Sequence, residues 1–415
     1  MQRKVFSVST QFGNLIIVPT LNKIFLQDEK LLVPEFLEDD EPGQEKDIFN
    51  VQQKDFYSVM FFPTNKCNLR CIYCYANSCE KGVFISVDIA KAAIDLVFKN
   101  CKKDNHLAWV RFHGGGEPTL AWKQLVAIVN YAKSEAKNMG LKLKLSITTN
   151  GFINDEQRRF LSVNMDYINL SFDGPKEVQN LQRPTTANGE SFTTVFNTAK
   201  FFYNSGVKFG VRASITRYSV KKMNDIVNFF ADNFPGISVA MEPIDIAGRC
   251  LESGLDSYEL IDFPKLISEA NFLAKQRCIK LNYSALELRF VGLNYCGTSL
   301  YNFIVTPEGY VTACSRVCRT TDPGAELFIY GYFDKKSKKF VFDQDKRNLL
   351  QSVNVNNMPD CKDCFAAWLC KGDCPMTRYS FNKDVFSGVS PRCEDRKRLI
   401  VEYLLRRLDV SPPTD

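Results

Sequence analysis

The sequence predicts an α/β protein, with an open sheet of six parallel strands wrapped by helices and a cysteine-rich extension behind it. Three observations carry this. Six short apolar runs alternate with segments of helical period between residues 56 and 245. Fifteen cysteines stand against two histidines and fall into tight groups. The first group follows the first apolar run directly, at what would be the carboxyl end of a strand, where open α/β sheets place their sites.

Taken in order, residues 1–54 hold two β-like runs, 5–9 and 15–24. An acidic stretch with Pro and Gly follows at 35–47 and reads as a linker or exposed loop. The six apolar runs are 57–62, 108–112, 143–148, 167–172, 208–215 and 238–244. Runs of this kind suit strands of a parallel sheet buried on both faces. Helical spacing fills 87–99, 122–139, 155–161, 192–204 and 219–234. Too few strands exist to close an eight-fold barrel, so the sheet is expected as an open, partial barrel. Residues 246–290 read as a bridge with a helix near 262–278, and a hairpin is expected over 301–306 and 310–313.

Composition narrows the class. Apolar residues at 45% and charged residues at 24% describe an ordinary globular protein, and the net charge of +6 is spread out, so no nucleic-acid partner is expected. No apolar run is long enough to span a bilayer, and Met1 to Val5 lack a signal-peptide core, so the expected location is the cytosol, with no membrane partner. In a reducing compartment clustered cysteines bind metal more often than they pair, and scarce histidine points to all-thiolate, iron–sulfur ligation.

The densest signal is Cys67-Asn-Leu-Arg-Cys71-Ile-Tyr-Cys74. Three thiols at these spacings fit one loop around one centre. A structural zinc would need a fourth protein ligand. A [4Fe–4S] cube held by three cysteines leaves one iron open. With Tyr73 the pattern becomes CxxxCx(aromatic)C, which resembles the radical S-adenosylmethionine (SAM) superfamily. The resemblance implies that SAM chelates the open iron and yields a 5′-deoxyadenosyl radical on one-electron reduction. It also implies a partial (β/α)6, TIM-like barrel.

After the second run comes His113-Gly-Gly-Gly-Glu117-Pro118. It resembles the family's GGEP motif, which holds the amino group of SAM, and this role falls to Gly115, Gly116, Glu117 and Pro118. Here Glu117 is expected to accept from the ammonium; His113 reads as a packed residue. The third and fourth strands end in Thr148-Thr-Asn150-Gly151 and Ser171-Phe-Asp173-Gly174. Asn150, Ser171 and Asp173 are placed to hold a ribose and a carboxylate, the alternative being plain βα-turn chemistry. Arg183 and Arg212 add positive charge at this rim. Arg212 is the candidate for the SAM carboxylate, which a guanidinium matches in fork geometry; an exposed surface arginine is the other reading.

The remaining pattern is Cys296, Gly309 to Cys314, then Cys361-x-x-Cys364, Cys370, Cys374 and Cys393. It resembles the SPASM extension of radical SAM proteins, which holds two auxiliary [4Fe–4S] clusters. The resemblance gives Cys361, Cys364, Cys370 and Cys393 to one cluster, and Cys296, Cys314 and Cys374 to an inner one with a position open or filled from elsewhere. Cys318 is the residue that would close it. A zinc ribbon of Cys361, Cys364, Cys370 and Cys374 is the alternative. Cys79, Cys101, Cys250 and Cys278 read as ordinary thiols.

The expected organisation is a β-rich leader at 1–54, a radical SAM barrel at 55–245, a bridge at 246–290 and an auxiliary-cluster domain at 291–415. The leader is either an edge hairpin or a reduced winged-helix peptide-recognition domain. Three [4Fe–4S] clusters and SAM are the expected cofactors, with a flavodoxin- or ferredoxin-type electron donor. The implied reaction is a two-electron oxidation of a peptide or protein, foremost a C–S or C–C crosslink in a ribosomally made precursor peptide. The alternatives are formylglycine formation, as in anaerobic sulfatase maturases, dehydrogenation of a small molecule, and a non-catalytic electron carrier. Sulfatase maturases carry an Asp directly after the cysteine matching Cys314, and here that residue is Ser315. No general base is assigned.

Overall fold

Each of the six apolar runs becomes a strand of one sheet. In the computed structural model, residues 5–10, 13–18, 23–27, 55–78, 82–255, 263–283, 292–300 and 302–407 are described. The chain divides into two compact units. One holds the described parts of 1–52, 284–296 and 352–415, the other those of 53–283 and 297–351.

In the first unit, β1 (Phe6–Thr10), β2 (Gly13–Val18) and β3 (Lys23–Gln27) form an antiparallel meander, with Phe6 opposite Ile17 and Leu15 opposite Leu26. Leu15 and Ile17, both at most 1% exposed, pack with Ala366, Leu369, Ile400 and Leu404. The described strands of the leader therefore pair as antiparallel hairpins and place Leu15 and Ile17 in one core with the C-terminal segment. Residues 28–54, including the acidic stretch, lie outside the described residues.

In the second unit, β4 (Ser58–Phe61), β5 (Ala108–Phe112), β6 (Leu143–Thr149), β7 (Tyr167–Ser171), β8 (Phe209–Ile215) and β9 (Ser238–Pro243) pair in sequence order, all parallel. The sheet runs on past both ends. β10 (Lys280–Asn282) adds in parallel to β9, so the stretch read as a bridge contributes a helix, Phe263–Gln276, and a strand. β11 (Ile304–Val305) adds in parallel to β4 and turns back as the expected hairpin with β12 (Tyr310–Thr312). β13 (Ile329–Asp334) and β14 (Lys339–Phe342) complete the antiparallel wing.

Helices cover one face. α1 (Val87–Asp104), α2 (Trp122–Met139) and α3 (Asp155–Asn164) follow β4, β5 and β6, α4 (Lys176–Gln182) and α5 (Phe192–Ser205) both follow β7, and α6 (Met223–Asn233) follows β8. Local chemistry marks their ends. Ser86 caps α1 by accepting from the Asp88 N–H, and Asn154 with Gln157 forms a capping box on α3.

The strands are not apolar on both faces, as their composition suggested. Val110, Phe112, Ile147, Ile168, Leu170, Val211, Ala213, Val239 and Met241 are buried. The alternate positions form a polar face, with Arg111 opposite Ser146, Thr148 opposite Asn169, Ser171 opposite Arg212 and Ser214 opposite Glu242. A strand that alternates this way has one face under helices and one left for a ligand.

Candidate active site

The cysteine loop leaves β4 and is held from several sides. The Arg70 N–H donates to the Pro184 carbonyl at 2.7 Å, and the Ile72 N–H to the Gln182 carbonyl at 3.0 Å. Arg249 donates from its backbone to the Cys74 carbonyl at 2.9 Å and from its guanidinium to the carbonyls of Cys71 at 3.1 Å and Ser78 at 2.6 Å. Gly248 before it has φ +58°, and a Cβ there would come 2.4 Å from the Tyr75 carbonyl oxygen, so only glycine permits this approach. Arg319 donates to the Ala76 carbonyl at 3.0 Å. Sequence reasoning missed Arg249 and Arg319. The only available hint was a Gly-Arg pair shortly after a strand end.

Tyr73 supplies a further anchor. Its hydroxyl donates to Asp173 at 2.7 Å and its ring lies under the Arg183 guanidinium, 5.2 Å from the centroid. Asp173 is fully buried. It also accepts from Gln182 at 2.8 Å, from the Ser214 N–H at 2.9 Å and from Arg183 at 3.0 Å. Its lone pairs are spent on fixing the loop, since a buried carboxylate holds its charge only when paired and hydrogen-bonded. Burial disfavours charge on Arg183, but Asp173 overrides it and holds its pKa up.

The glycine-rich turn docks on the same loop. The Glu117 N–H donates to the Lys66 carbonyl at 2.8 Å, and a Cβ on Gly116 would lie 2.1 Å from that oxygen. Glu117 is 2% exposed and faces inward. Its Oε1 accepts from the Thr119 N–H at 3.1 Å, the Thr119 hydroxyl at 2.7 Å and the Thr149 hydroxyl at 2.8 Å; Oε2 accepts from the Asn150 N–H at 2.7 Å. Burial pushes the Glu117 pKa up and these donors pull it back. Three of these four donors fall on Oε1 and one on Oε2. Pro118 opens the short 3₁₀ turn Pro118–Ala121 that Glu117 caps.

Of the other rim residues, Asn150 is 8% exposed, and its side chain reaches Asn68 and Cys67. Ser171 and the exposed Arg212 stand side by side in register on the polar face. His113 is neutral at ordinary pH. Burial first, then Arg212, lowers its pKa to about 4.

The thiols suit a metal centre. Burial raises Cys67 and pushes Cys71 up to about 12, so each stays a neutral thiol unless a cation offsets its charge. Three thiols, Cys67, Cys71 and Cys74, stand together on this one clamped loop, and three thiolates would leave one iron of a [4Fe–4S] cube open. In the first unit Cys361, Cys364, Cys370 and Cys393 line one cavity of about 150 Å³, and Cys374 is not among its lining. Burial raises Cys361 and Cys393 and lifts Cys370 to about 12, while Arg378, Lys397 and Arg396 respectively oppose it. The same cavity is lined by Arg378, Arg396 and Lys397 and by Asp360, Asp373 and Glu394, with Arg396 paired to Asp373 and Lys397 to Glu394. Among the described residues, no group of three or more His, Cys, Asp or Glu forms a site for a single bare metal ion. Cys296 and Cys374 belong to the first unit and Cys314 to the second.

Cys318 is 2% exposed and packs with Phe62, Ala76 and Ile304. Its sulfur faces the glycine-rich turn, where a Cβ on Gly115 would come within 2.8 Å of it. Cys101 and Cys250 are buried and Cys278 is exposed. Cys79 lies outside the described residues.

The radical SAM superfamily signature covers residues 61–229. A cysteine-type anaerobic sulfatase-maturating enzyme of Clostridium perfringens (strain ATCC 13124) is 26% identical over 373 residues, spanning 85% of this chain and 97% of its own. The same fold is found in native anSMEcpe with bound AdoMet and Cp18Cys peptide, at TM-score 0.67 and 22% identity over 85% of this chain and 98% of that one. It recurs in Streptococcus suis SuiB bound to precursor peptide SuiA, at TM-score 0.58 and 17% identity over 82% and 76%. Among the described residues, no helix is long and apolar enough to cross a membrane. The cysteine loop and the glycine-rich turn docked on it both lie within the stretch that the radical SAM superfamily signature covers.

Proposed function

We propose that this chain cleaves SAM reductively and uses the resulting radical to oxidise a peptide side chain by two electrons, foremost to form a C–S or C–C crosslink in a ribosomally made precursor peptide. One observation carries the reading. Three cysteines stand on a loop locked against a glycine-rich turn, at the carboxyl end of a sheet whose free face is polar. When bound, the cluster and SAM supply an oxidant strong enough for an unactivated C–H bond, which no side chain can replace.

Cys67, Cys71 and Cys74 would hold that cluster. Cys361, Cys364, Cys370 and Cys393 would hold an outer auxiliary cluster, and Cys296, Cys314 and Cys374 an inner one, making three. Main-chain groups at Gly115 and Gly116 would receive the SAM ammonium, with Arg212 and Ser171 toward its carboxylate and ribose. The polar face from Arg111 to Glu242 would take the peptide, and a flavodoxin- or ferredoxin-type protein would bring the electron. Peptides named in the relatives' structures support this substrate class.

A second reading is formylglycine formation, favoured by the likeness to the Clostridium enzyme over most of both chains. Ser315 stands against it, since a serine hydroxyl is a poor base where sulfatase maturases place a carboxylate. The test is anaerobic turnover with dithionite, SAM and two peptides, one with a sulfatase-type Cys motif and one encoded beside this chain's gene. A product 2 Da lighter with an internal crosslink is expected from the second peptide. Formylglycine in the first peptide, with the second untouched, would reverse the order of the two readings. Absence of 5′-deoxyadenosine in every reaction would overturn both.

A further inference from the structure

We propose that Asn150 is a positioning residue that donates an N–H to the sulfur of Cys67 and thereby raises the reduction potential of the three-cysteine cluster. The inference rests on the function proposed above, because it needs that cluster to be present.

The geometry fixes which way the amide points. Asn150 Oδ1 accepts from the Phe152 N–H at 2.9 Å, which places Nδ2 on the opposite side. That nitrogen donates to Asn68 Oδ1 at 2.8 Å and reaches Cys67 Sγ at 3.7 Å. The neighbouring amide is fixed in the same manner, since Asn68 Nδ2 donates to the Phe152 carbonyl at 2.9 Å. Both groups of one backbone residue therefore orient two side-chain amides, and neither can flip without leaving Phe152 unpaired.

The main chain at Asn150 is equally determined. Its N–H is held by Glu117 Oε2, the Thr149 hydroxyl is held by Oε1, and Gly151 donates to that hydroxyl at 3.1 Å. Glu117 in turn bonds the Lys66 carbonyl beside Cys67. The glycine-rich turn, the end of β6 and the first cluster ligand thus form one closed ring of hydrogen bonds. At 8% exposure, water does not compete well for the Asn150 amide. A donor aimed at a thiolate draws electron density from it and favours the reduced, more negative cluster, so the potential rises.

The test uses anaerobically reconstituted full-length protein, wild type, Asn150→Ala and Asn150→Asp. The cluster of interest is the one whose EPR signal changes when SAM is added. Iron content should stay at the wild-type level while that signal's midpoint potential moves negative, further for Asn150→Asp because it sets an oxygen where the donor was. Normal iron with an unmoved potential in both variants overturns the inference alone. Wild-type protein labelled with ¹⁵N in the asparagine side chain supplies a readout that needs no variant. A ¹⁵N coupling to the reduced SAM-responsive cluster is expected, and its absence overturns the inference. A wild-type chain that takes up no SAM-responsive cluster overturns the underlying proposal instead.

Discussion

At the scale of single residues, the acids near the site are tied into the protein by buried hydrogen bonds. Removing the Glu117 carboxylate would leave the donors of Thr119, Thr149 and Asn150 buried without an acceptor. Such groups cost about 1–3 kcal/mol each when unpaired. Glu117→Ala should therefore lower the melting temperature and loosen cluster retention. Normal stability with only SAM affinity lost, by calorimetry and ligand titration, would return the carboxylate to the cofactor. Asp173→Asn should cost about 3–5 kcal/mol, because Arg183 would keep a buried charge without its counter-ion; denaturant unfolding measures it. For His113 the sign is that of a depressed base. Protonation is disfavoured in the folded state down to about pH 4, so the ring stays neutral above pH 6. SAM cleavage between pH 6 and 8.5 should follow the same profile in wild type and His113→Asn. A step near pH 6.5 that vanishes in the variant would contradict this.

At the scale of elements, the six strands, the hairpin at 304–312 and the long helices were legible because each has a length and period that compete with nothing else. The polar face was not. Arg111, Ser146, Asn169 and Arg212 are isolated within apolar runs, and only pairing in register gathers them on one side. The loop and turn motifs were legible as chemistry, but the direction of their side chains was not. Glu117 and Asp173 turn inward because buried donors from distant segments claim them, and such pairings leave no local trace. Cys318 belongs to this scale too. Its thiol faces Gly115, and the seven-cysteine pattern is complete without it. Cys318→Ala should keep the iron of all three proposed clusters and most SAM cleavage. Loss of one cluster's iron, by elemental analysis and Mössbauer spectroscopy, would assign it to the inner cluster as fourth ligand.

At the scale of the whole molecule, the leader was the least legible part. Two short β runs say nothing of what they pack on, yet Leu15 and Ile17 share a core with the helix Cys393–Arg407. Removing residues 1–27 should expose that core and release the outer cluster's iron while the SAM-responsive signal persists. Equal loss of both would mean that the two units fold as one. The central claim is that Cys67, Cys71 and Cys74 carry the cluster on which SAM cleavage depends. It is tested most directly by changing all three to Ala in protein purified and reconstituted without oxygen, then counting iron and sulfide and assaying 5′-deoxyadenosine. The account predicts loss of one cluster's share of iron and of all 5′-deoxyadenosine, with the other two clusters intact. Full SAM cleavage by the triple variant, or stoichiometric zinc with little iron in the wild type, would contradict it.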